Sequence, residues 1–434
     1  MKLPWRQLHF TGIGGVGMAA LAQAVAECGV RVTGSDAVES RYTHALGKAG
    51  VEVTIGHRET LPAGTELLVF SSAISPDNSE LAAARAQGIP CLRRGEFLGQ
   101  FAACFPRVVA VSGSHGKTTT TAMLAHILRT LGRKPGFLVG GAVNGWEMNG
   151  SAGNGELLVT EVDESDGTQV FVRASIAIVL NIDDDHCWSH GGEQALEQCF
   201  LAFAEQAQVI LTWPSPATDR LLAGQTNVRF LEERSALPSD WMPPVPGHHN
   251  RLNAAIAVAA AELLGVSRED ALAALASFPG VDRRLTRLFA SPDSSHLLLE
   301  DYAHHPTELS ATLQTLRDGY PHHFLHIVFQ PHRRERVRRY GQGFVDLLAK
   351  YADQVTIVST FSAWTNDDDG SDGSSLVAAL NALRPGLATF APTPDQNLTD
   401  ELLREFASRD NCLLAVVGAG DIHNLALRLQ ERMR

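Results

Sequence analysis

Short apolar runs recur along the chain, each followed by a polar or glycine-rich turn and then by a stretch with helical spacing. Val108 to Val111 is the plainest case. Ser112-Gly113-Ser114-His115-Gly116-Lys117-Thr118 follows it, and then a helical pattern from Thr119 to Leu131. A continuous apolar run bounded by turn residues reads as a strand buried on both faces. Leu8 to Thr11 repeats the arrangement, leading through Gly12-Ile13-Gly14-Gly15-Val16-Gly17 into an apolar helix from Met18 to Cys28. Further strands are expected at Val30 to Thr33, Val51 to Val53, Leu67 to Phe70, Pro90 to Arg94, Leu157 to Glu161 and Ile176 to Ile182. Others follow at Leu297 to Leu299, Phe324 to Phe329, Val355 to Val358 and Leu413 to Val417. Helices are expected over Asn78 to Gln87 and Ala254 to Leu264, and in stretches ending at Arg317, at Lys350 and at the end of the chain. Strands alternating with helices predict an α/β protein built from doubly wound parallel sheets. Trp213 to Pro246, rich in proline and weakly periodic, is expected to be a surface connection.

At 434 residues the chain exceeds one hydrophobic core and predicts two to four domains. A net charge of -12 argues against non-specific nucleic-acid binding. The sequence holds no apolar run of membrane-spanning length and starts without a signal-peptide pattern. Cys28, Cys91, Cys104, Cys187, Cys199 and Cys412 are scattered with no paired spacing. They read as reduced thiols of a cytoplasmic protein with no membrane partner. Arginine carries most of the positive charge; Lys2, Lys48, Lys117, Lys134 and Lys350 are the lysines.

The candidate chemistry sits at the predicted strand ends, where ligands of such sheets bind. Gly113, Ser114, His115, Gly116, Lys117, Thr118 and Thr119 form a phosphate loop. Its N–H groups and helix N-terminus would hold phosphate oxygens, Lys117 would neutralise the outer phosphates and Thr118 would ligate Mg²⁺. Its glycine spacing is shorter than the usual form. Gly12, Gly14, Gly15 and Gly17 with Ser35 and Asp36 make a dinucleotide-type fingerprint for a pyrophosphate and a ribose or base. Ser71, Ser72 and the Arg93/Arg94 pair are candidate substrate contacts, although the arginines fit a solvated surface pair equally well. Glu161, where an apolar strand meets an acidic run, is the best metal candidate. His186, after Asp183-Asp184-Asp185, is a second. His249, Asn250 and Asn253 suit either an adenine edge or a helix start. Asp301, His304, His332, Arg333 and Arg336 lie at strand ends of a third unit, and arginine forks suit carboxylates and phosphates.

Taken together, these stretches resemble the Mur ligases of peptidoglycan synthesis, and most nearly the branch that adds L-alanine to UDP-N-acetylmuramate. The resemblance rests on Gly12 to Met18, Ser71 to Ile74, Gly116 to Thr120, Glu161 to Asp166, Asp185-His186, His249-Asn250 with Asn253, Asp301 to Glu308 and Phe329 to Arg333, in family order. It implies a Rossmann-like UDP-sugar domain over 1–104, a central P-loop ATPase domain over 105–282 and a Rossmann-like amino-acid domain over 283–434. It also implies ATP and Mg²⁺ as cofactors, UDP-N-acetylmuramate and L-alanine as substrates, an acyl-phosphate intermediate, and a monomer or homodimer. By position, Glu161 and His186 match the metal residues, and His249, Asn250 and Asn253 match the adenine pocket. Asp301 matches the ATP-ribose contact, and Arg284 the arginine that reaches the γ-phosphate. Tyr302, His304, Arg333 and Arg336 match groups around the substrate carboxylate and the amino acid. Three departures stand out. Ile210 to Gly247 is short, no lysine lies between Lys134 and Lys350, and Phe361-Ser362-Ala363-Trp364-Thr365 replaces a Tyr-Pro-Ala-Gly-Glu segment. The alternatives are a family member adding another amino acid or a peptide, such as a murein-peptide recycling ligase, an NAD-dependent dehydrogenase, and a non-catalytic nucleotide-binding protein.

Overall fold

A computed structural model describes residues 1–434 apart from 186, 188–190, 234–236 and 363–371. The chain forms two compact units, Met1–Pro244 with Asn250–Val281, and Val245–His249 with Asp282–Arg434. No described helix is long and apolar enough to cross a membrane.

The first unit holds two sheets. Strands β1 (Gln7–Thr11), β2 (Arg31–Asp36), β3 (Glu52–Ile55), β4 (Leu67–Phe70) and β5 (Cys91–Arg93) lie in the order β3-β2-β1-β4-β5, all parallel. Helices α1 (Val16–Glu27), α2 (Arg41–Lys48), α3 (Ser79–Ala86) and α4 (Arg94–Ala102) connect or follow them. Arg94, expected to be extended, is instead the first residue of α4, because the Glu96 carboxylate accepts the Arg93 N–H at 2.7 Å and caps the helix start.

The second sheet comprises β6 (Arg107–Ser112), β7 (Gly136–Leu138), β8 (Gly150–Ser151), β9 (Leu157–Glu161), β10 (Ile176–Val179), β11 (Val209–Thr212) and β12 (Val228–Phe230). Their order is β12-β11-β10-β6-β9-β7-β8, with β8 antiparallel to β7. The stretch expected to be a surface connection therefore supplies an edge strand and a short helix, Pro216–Leu222. Helix α5 (Lys117–Thr130) leaves the end of β6. Its residues Thr118 to Ala125 are all buried. The first sheet packs on the second through α1. At Gly150 an added Cβ would come 2.1 Å from the Ala20 carbonyl oxygen, so the backbones touch where only glycine fits. Coverage on both sides explains why α1 is apolar nearly all round.

The second unit has one sheet of β13 (Thr286–Ala290), β14 (His296–Asp301), β15 (Phe324–Phe329), β16 (Gln354–Val358), β17 (Ala388–Ala391) and β18 (Cys412–Val417). The order is β13-β14-β18-β15-β16-β17. β13 is an antiparallel edge that alternating patterning did not announce. The parallel strands are buried along nearly their whole lengths, as the unbroken runs Leu297–Leu299, Leu325–Phe329 and Cys412–Val417 require.

Candidate active site

The phosphate loop turns at Gly113 (φ 140°) and Gly116 (φ 85°), conformations that a side chain resists. Added Cβ atoms there would stand 2.9 Å from Leu180 and 2.6 Å from the Asn253 amide oxygen. Asn181, at the end of β10, fixes the loop from both sides. Its side chain accepts the His115 N–H at 2.8 Å and donates to the His115 carbonyl at 3.1 Å. The His115 ring pairs with Asp183 at 3.1 Å, and Ser114 accepts the Asp183 N–H at 2.9 Å. Lys117 donates to the Gly113 carbonyl at 2.7 Å and pairs with Glu164 at 2.6 Å. Glu164 is 1% exposed. Burial alone would lower the Lys117 pKa; the carboxylates of Glu164, Asp163 and Glu161 outweigh it and raise it, so the ammonium stays charged. Thr119 is buried in the first turn.

Beside this loop, the Glu161 carboxylate at the end of β9 accepts the Thr118 hydroxyl at 2.9 Å and the Gly140 N–H at 2.9 Å. A hydroxyl and a carboxylate are hard oxygen donors of the kind Mg²⁺ takes, so the residues present fit that ion. His186 lies outside the described residues.

Glu161 also lines a cleft of about 270 Å³ whose opposite wall is the glycine loop: Gly15, Val16, Gly17 and Met18, with Ser71 and Arg94 at its side. The dinucleotide-type loop and the metal candidate thus face one cavity within the first unit. Gly12 turns with φ 81° against Ser71. Gly14 donates its N–H to Asp36 at 2.8 Å, so Asp36 clamps the loop.

Ser35, expected to contact the sugar nucleotide, places its hydroxyl inside the fold. It is fully buried and donates to Glu80 at 2.6 Å. Glu80, 1% exposed, also accepts from Thr11 at 2.7 Å and lies 3.3 Å from His9. Burial would raise its carboxyl, but the hydrogen bonds of His9, Ser35 and Thr11 together hold it down at about 2. Ser72 is exposed and is not among the residues lining the cleft.

Asn250 and Asn253 sit one turn apart in the helix His248–Leu263, both buried and 3.4 Å apart. The division between the units falls inside this helix's first turn, and His249 groups with the second unit. Burial, and then Arg284, lower the His249 pKa to about 4.

In the second unit Tyr302 lies between Arg283 and Arg284, whose guanidinium carbons stand 4.8 and 5.0 Å from its ring centre. Arg283 pairs with Glu300 at 3.0 Å and donates to the Gly418 carbonyl at 2.8 Å. Arg284 reaches Glu308 at 3.6 Å. Arg283 and Leu285 both hold positive φ, 60° and 47°, a strained turn that presents Arg284.

Asp301 explains how the turn persists. Its carboxylate accepts the Leu285 N–H at 2.7 Å, the Ala303 N–H at 2.9 Å and the Thr312 hydroxyl at 3.0 Å, and it is buried. These three bonds make it a clamp on the turn that presents Arg284.

Tyr302, His304, His332 and Phe361 touch ring to ring in that order, the first pair edge-on and the last stacked. His304 lies 5.4 Å from Tyr302 and 5.5 Å from His332, and the His332 and Phe361 rings lie 5.6 Å apart at 17°. Arg336 is 1% exposed and donates to His332 at 3.0 Å, so it stands behind that ring. Arg333 (φ 66°) begins the helix Arg334–Tyr351 and donates its N–H to the Phe361 carbonyl at 2.8 Å. Ala363, Trp364 and Thr365 lie outside the described residues.

Sequence reasoning missed Gly140, Asn181 and Glu164. Two glycines after a short strand, an asparagine at a strand end and the last glutamate of an acidic run were the available signals, but only long-range pairing gives them meaning.

Family models match the chain in three consecutive stretches: the Mur ligase family catalytic domain over residues 7–106, the Mur ligase middle domain over 111–212, and the Mur ligase glutamate ligase domain over 283–420. The UDP-N-acetylmuramate–L-alanine ligase of Coxiella burnetii is 34% identical, with 98% of this chain and 97% of that protein covered. The enzyme of that name from Methylococcus capsulatus is also 34% identical, over 98% of this chain and 96% of its own. The crystal structure of the UDP-N-acetylmuramate–alanine ligase from Thermotoga maritima superposes with a TM-score of 0.80 at 28% identity, covering 98% of both chains. A murein peptide ligase from Psychrobacter arcticus shares the fold, with a TM-score of 0.67 at 22% identity and 98% coverage of each chain. On these grounds the chain belongs to the Mur ligase family.

Proposed function

We propose that the chain is an ATP-dependent ligase that joins L-alanine to the lactyl carboxylate of UDP-N-acetylmuramate, releasing ADP and phosphate, within the division 1–104, 105–282 and 283–434. The observation that carries this is the single cleft shared by the glycine loop and Glu161. It gives a sugar nucleotide one end for its diphosphate and another beside the phosphate loop. The names of the relatives support the choice of substrates.

A carboxylate is inert to an amine, so it must first be activated. One of its oxygens attacks the γ-phosphorus of ATP, ADP leaves, and an acyl phosphate forms. The alanine amine then attacks the acyl carbon, loses a proton, and phosphate departs. Both reactants of the first step are anionic, and catalysis is chiefly positioning and charge compensation. Thr118 and Glu161, with His186 by its position in the sequence, would hold Mg²⁺, which would supply charge neutralisation at the transferring phosphoryl group. Lys117 holds the phosphates as a fixed cation, and the N–H groups of Ser114 to Thr119 orient them. Asn250 and Asn253 serve the nucleotide end. Arg284 is assigned to the phosphoryl charge, and Tyr302, His304 and Arg333 to the amino acid, with Arg336 orienting His332. Gly12, Gly14, Gly15 and Gly17 admit the diphosphate, with Asp36 holding their loop.

The test is phosphate release from ATP with UDP-N-acetylmuramate and single amino acids or the L-alanyl-γ-D-glutamyl peptide. Release that depends on L-alanine supports the proposal. Dependence on the peptide alone assigns the recycling reaction, and release independent of any amine contradicts ligation.

A further inference from the structure

The cleft contains a cation that the steps above do not use. Arg94 begins α4, and its side chain lies along the cleft wall, 23% exposed. One terminal nitrogen, Nη2, bonds the Asp166 carboxylate at 2.8 Å and stands 4.0 Å from Asp163. The other, Nη1, lies against the first turn of α1: a Cβ on Gly17 would come within 3.0 Å of it. Nη1 has no hydrogen-bond partner among the described residues.

Asp166 is itself fixed. Its second oxygen accepts the Thr168 N–H at 3.1 Å and the Thr168 hydroxyl at 2.5 Å. Around this pair α4 meets the Thr168–Phe171 turn at backbone distance. Added Cβ atoms on Gly95 and Gly99 would stand 2.4 Å from the Thr168 hydroxyl and the Phe171 carbonyl oxygen. Such close approach leaves the guanidinium little freedom. A surface ion pair needs no such seat, whereas a ligand-binding arginine gains from being held in place.

We infer that Arg94 is a binding residue for the diphosphate of the sugar nucleotide, offering Nη1 beside the Gly15–Gly17 N–H groups, and that Asp166 is its positioning residue. Planar guanidinium donors match phosphate oxygens, and a partly desolvated cation strengthens the bond. The assignment rests on the reading of the cleft as the UDP-sugar site.

Isothermal titration of the full chain with UDP-N-acetylmuramate, UDP and UMP, at several salt concentrations, tests it with R94K, R94Q and D166N. For R94Q the expected result is UDP and UDP-N-acetylmuramate binding at least about tenfold weaker, UMP affected less, ATP affinity unchanged and a shallower salt dependence. R94K should recover part of the loss, and D166N should raise KM for the sugar nucleotide with kcat nearly unchanged. Wild-type affinity for UDP in R94Q overturns the inference while leaving the ligase reading intact. Equal loss of ATP and UDP binding in both Arg94 variants overturns it in favour of a purely structural ion pair. A wild-type chain that binds no UDP-sugar overturns both.

Discussion

Replacing Gly140 by alanine is expected to disable the reaction without unfolding the protein. Gly140 is exposed and its φ is not positive, so its backbone accepts alanine. The new methyl, however, would stand 2.4 Å from Glu161 Oε2 and 2.6 Å from both Cδ and Oε1, where ordinary contact begins at 3.4 Å. The carboxylate must therefore retreat by about 1 Å, which is enough to break its 2.9 Å bonds to Thr118 and to the Gly140 N–H. A hydrogen bond to a charged group contributes about 1.5–3 kcal/mol. A catalytic group misplaced by about 1 Å costs roughly a hundredfold in rate. The expected outcome is kcat about a hundredfold lower, with half-saturation at higher Mg²⁺ and Tm within a few degrees of wild type. Gly224→Ala, with open space around the new methyl, is the control. Phosphate release as a function of Mg²⁺, with parallel thermal unfolding, reads both. Activity within about threefold of wild type at low Mg²⁺ would refute the placement of Glu161 at the metal.

Lys117→Ala should lower turnover about a thousandfold, as expected for removing a charge that stabilises the transferring group. It should keep UDP-sugar binding by titration, and retained turnover counts against the phosphate role. Asp301→Ala should cost about 3 kcal/mol in urea unfolding, since three buried bonds lose their acceptor. A raised KM for ATP with unchanged stability would instead assign it to the nucleotide ribose. The Glu80 carboxyl, held at about 2 against 4.5 when free, contributes about 3 kcal/mol of stability. Because the folded value is the lower one, that stability is fully present above pH 4.5 and is lost as the pH falls towards 2. Glu80→Gln should flatten this stretch of the stability profile, and an unchanged acid limb would refute the assignment.

The phosphate loop was legible because its signal is local: a buried strand, two glycines and Lys117-Thr118 fall within one turn of chain. The first glycine loop was legible for the same reason. Strands such as Phe324–Phe329 were equally plain, since burial on both faces leaves an unbroken apolar run. What the sequence hides is pairing at a distance. Nothing local tells that Ser35 donates to Glu80, or that Asp301 spends its oxygens on the Leu285 turn. Gly140 and Asn181 carry no signal of their own and become functional only against Glu161 and His115. The edge strand Thr286–Ala290 escaped notice because an antiparallel edge is half solvated and reads as irregular.

If ATP phosphorylates the sugar nucleotide's carboxylate, one oxygen of that carboxylate leaves with the phosphate when the amine attacks. The most direct measurement uses UDP-N-acetylmuramate labelled with ¹⁸O in that carboxylate, and follows the label through one turnover with ATP and L-alanine. Label appearing in the released phosphate is the expected result. Unlabelled phosphate beside a fully labelled amide would contradict it.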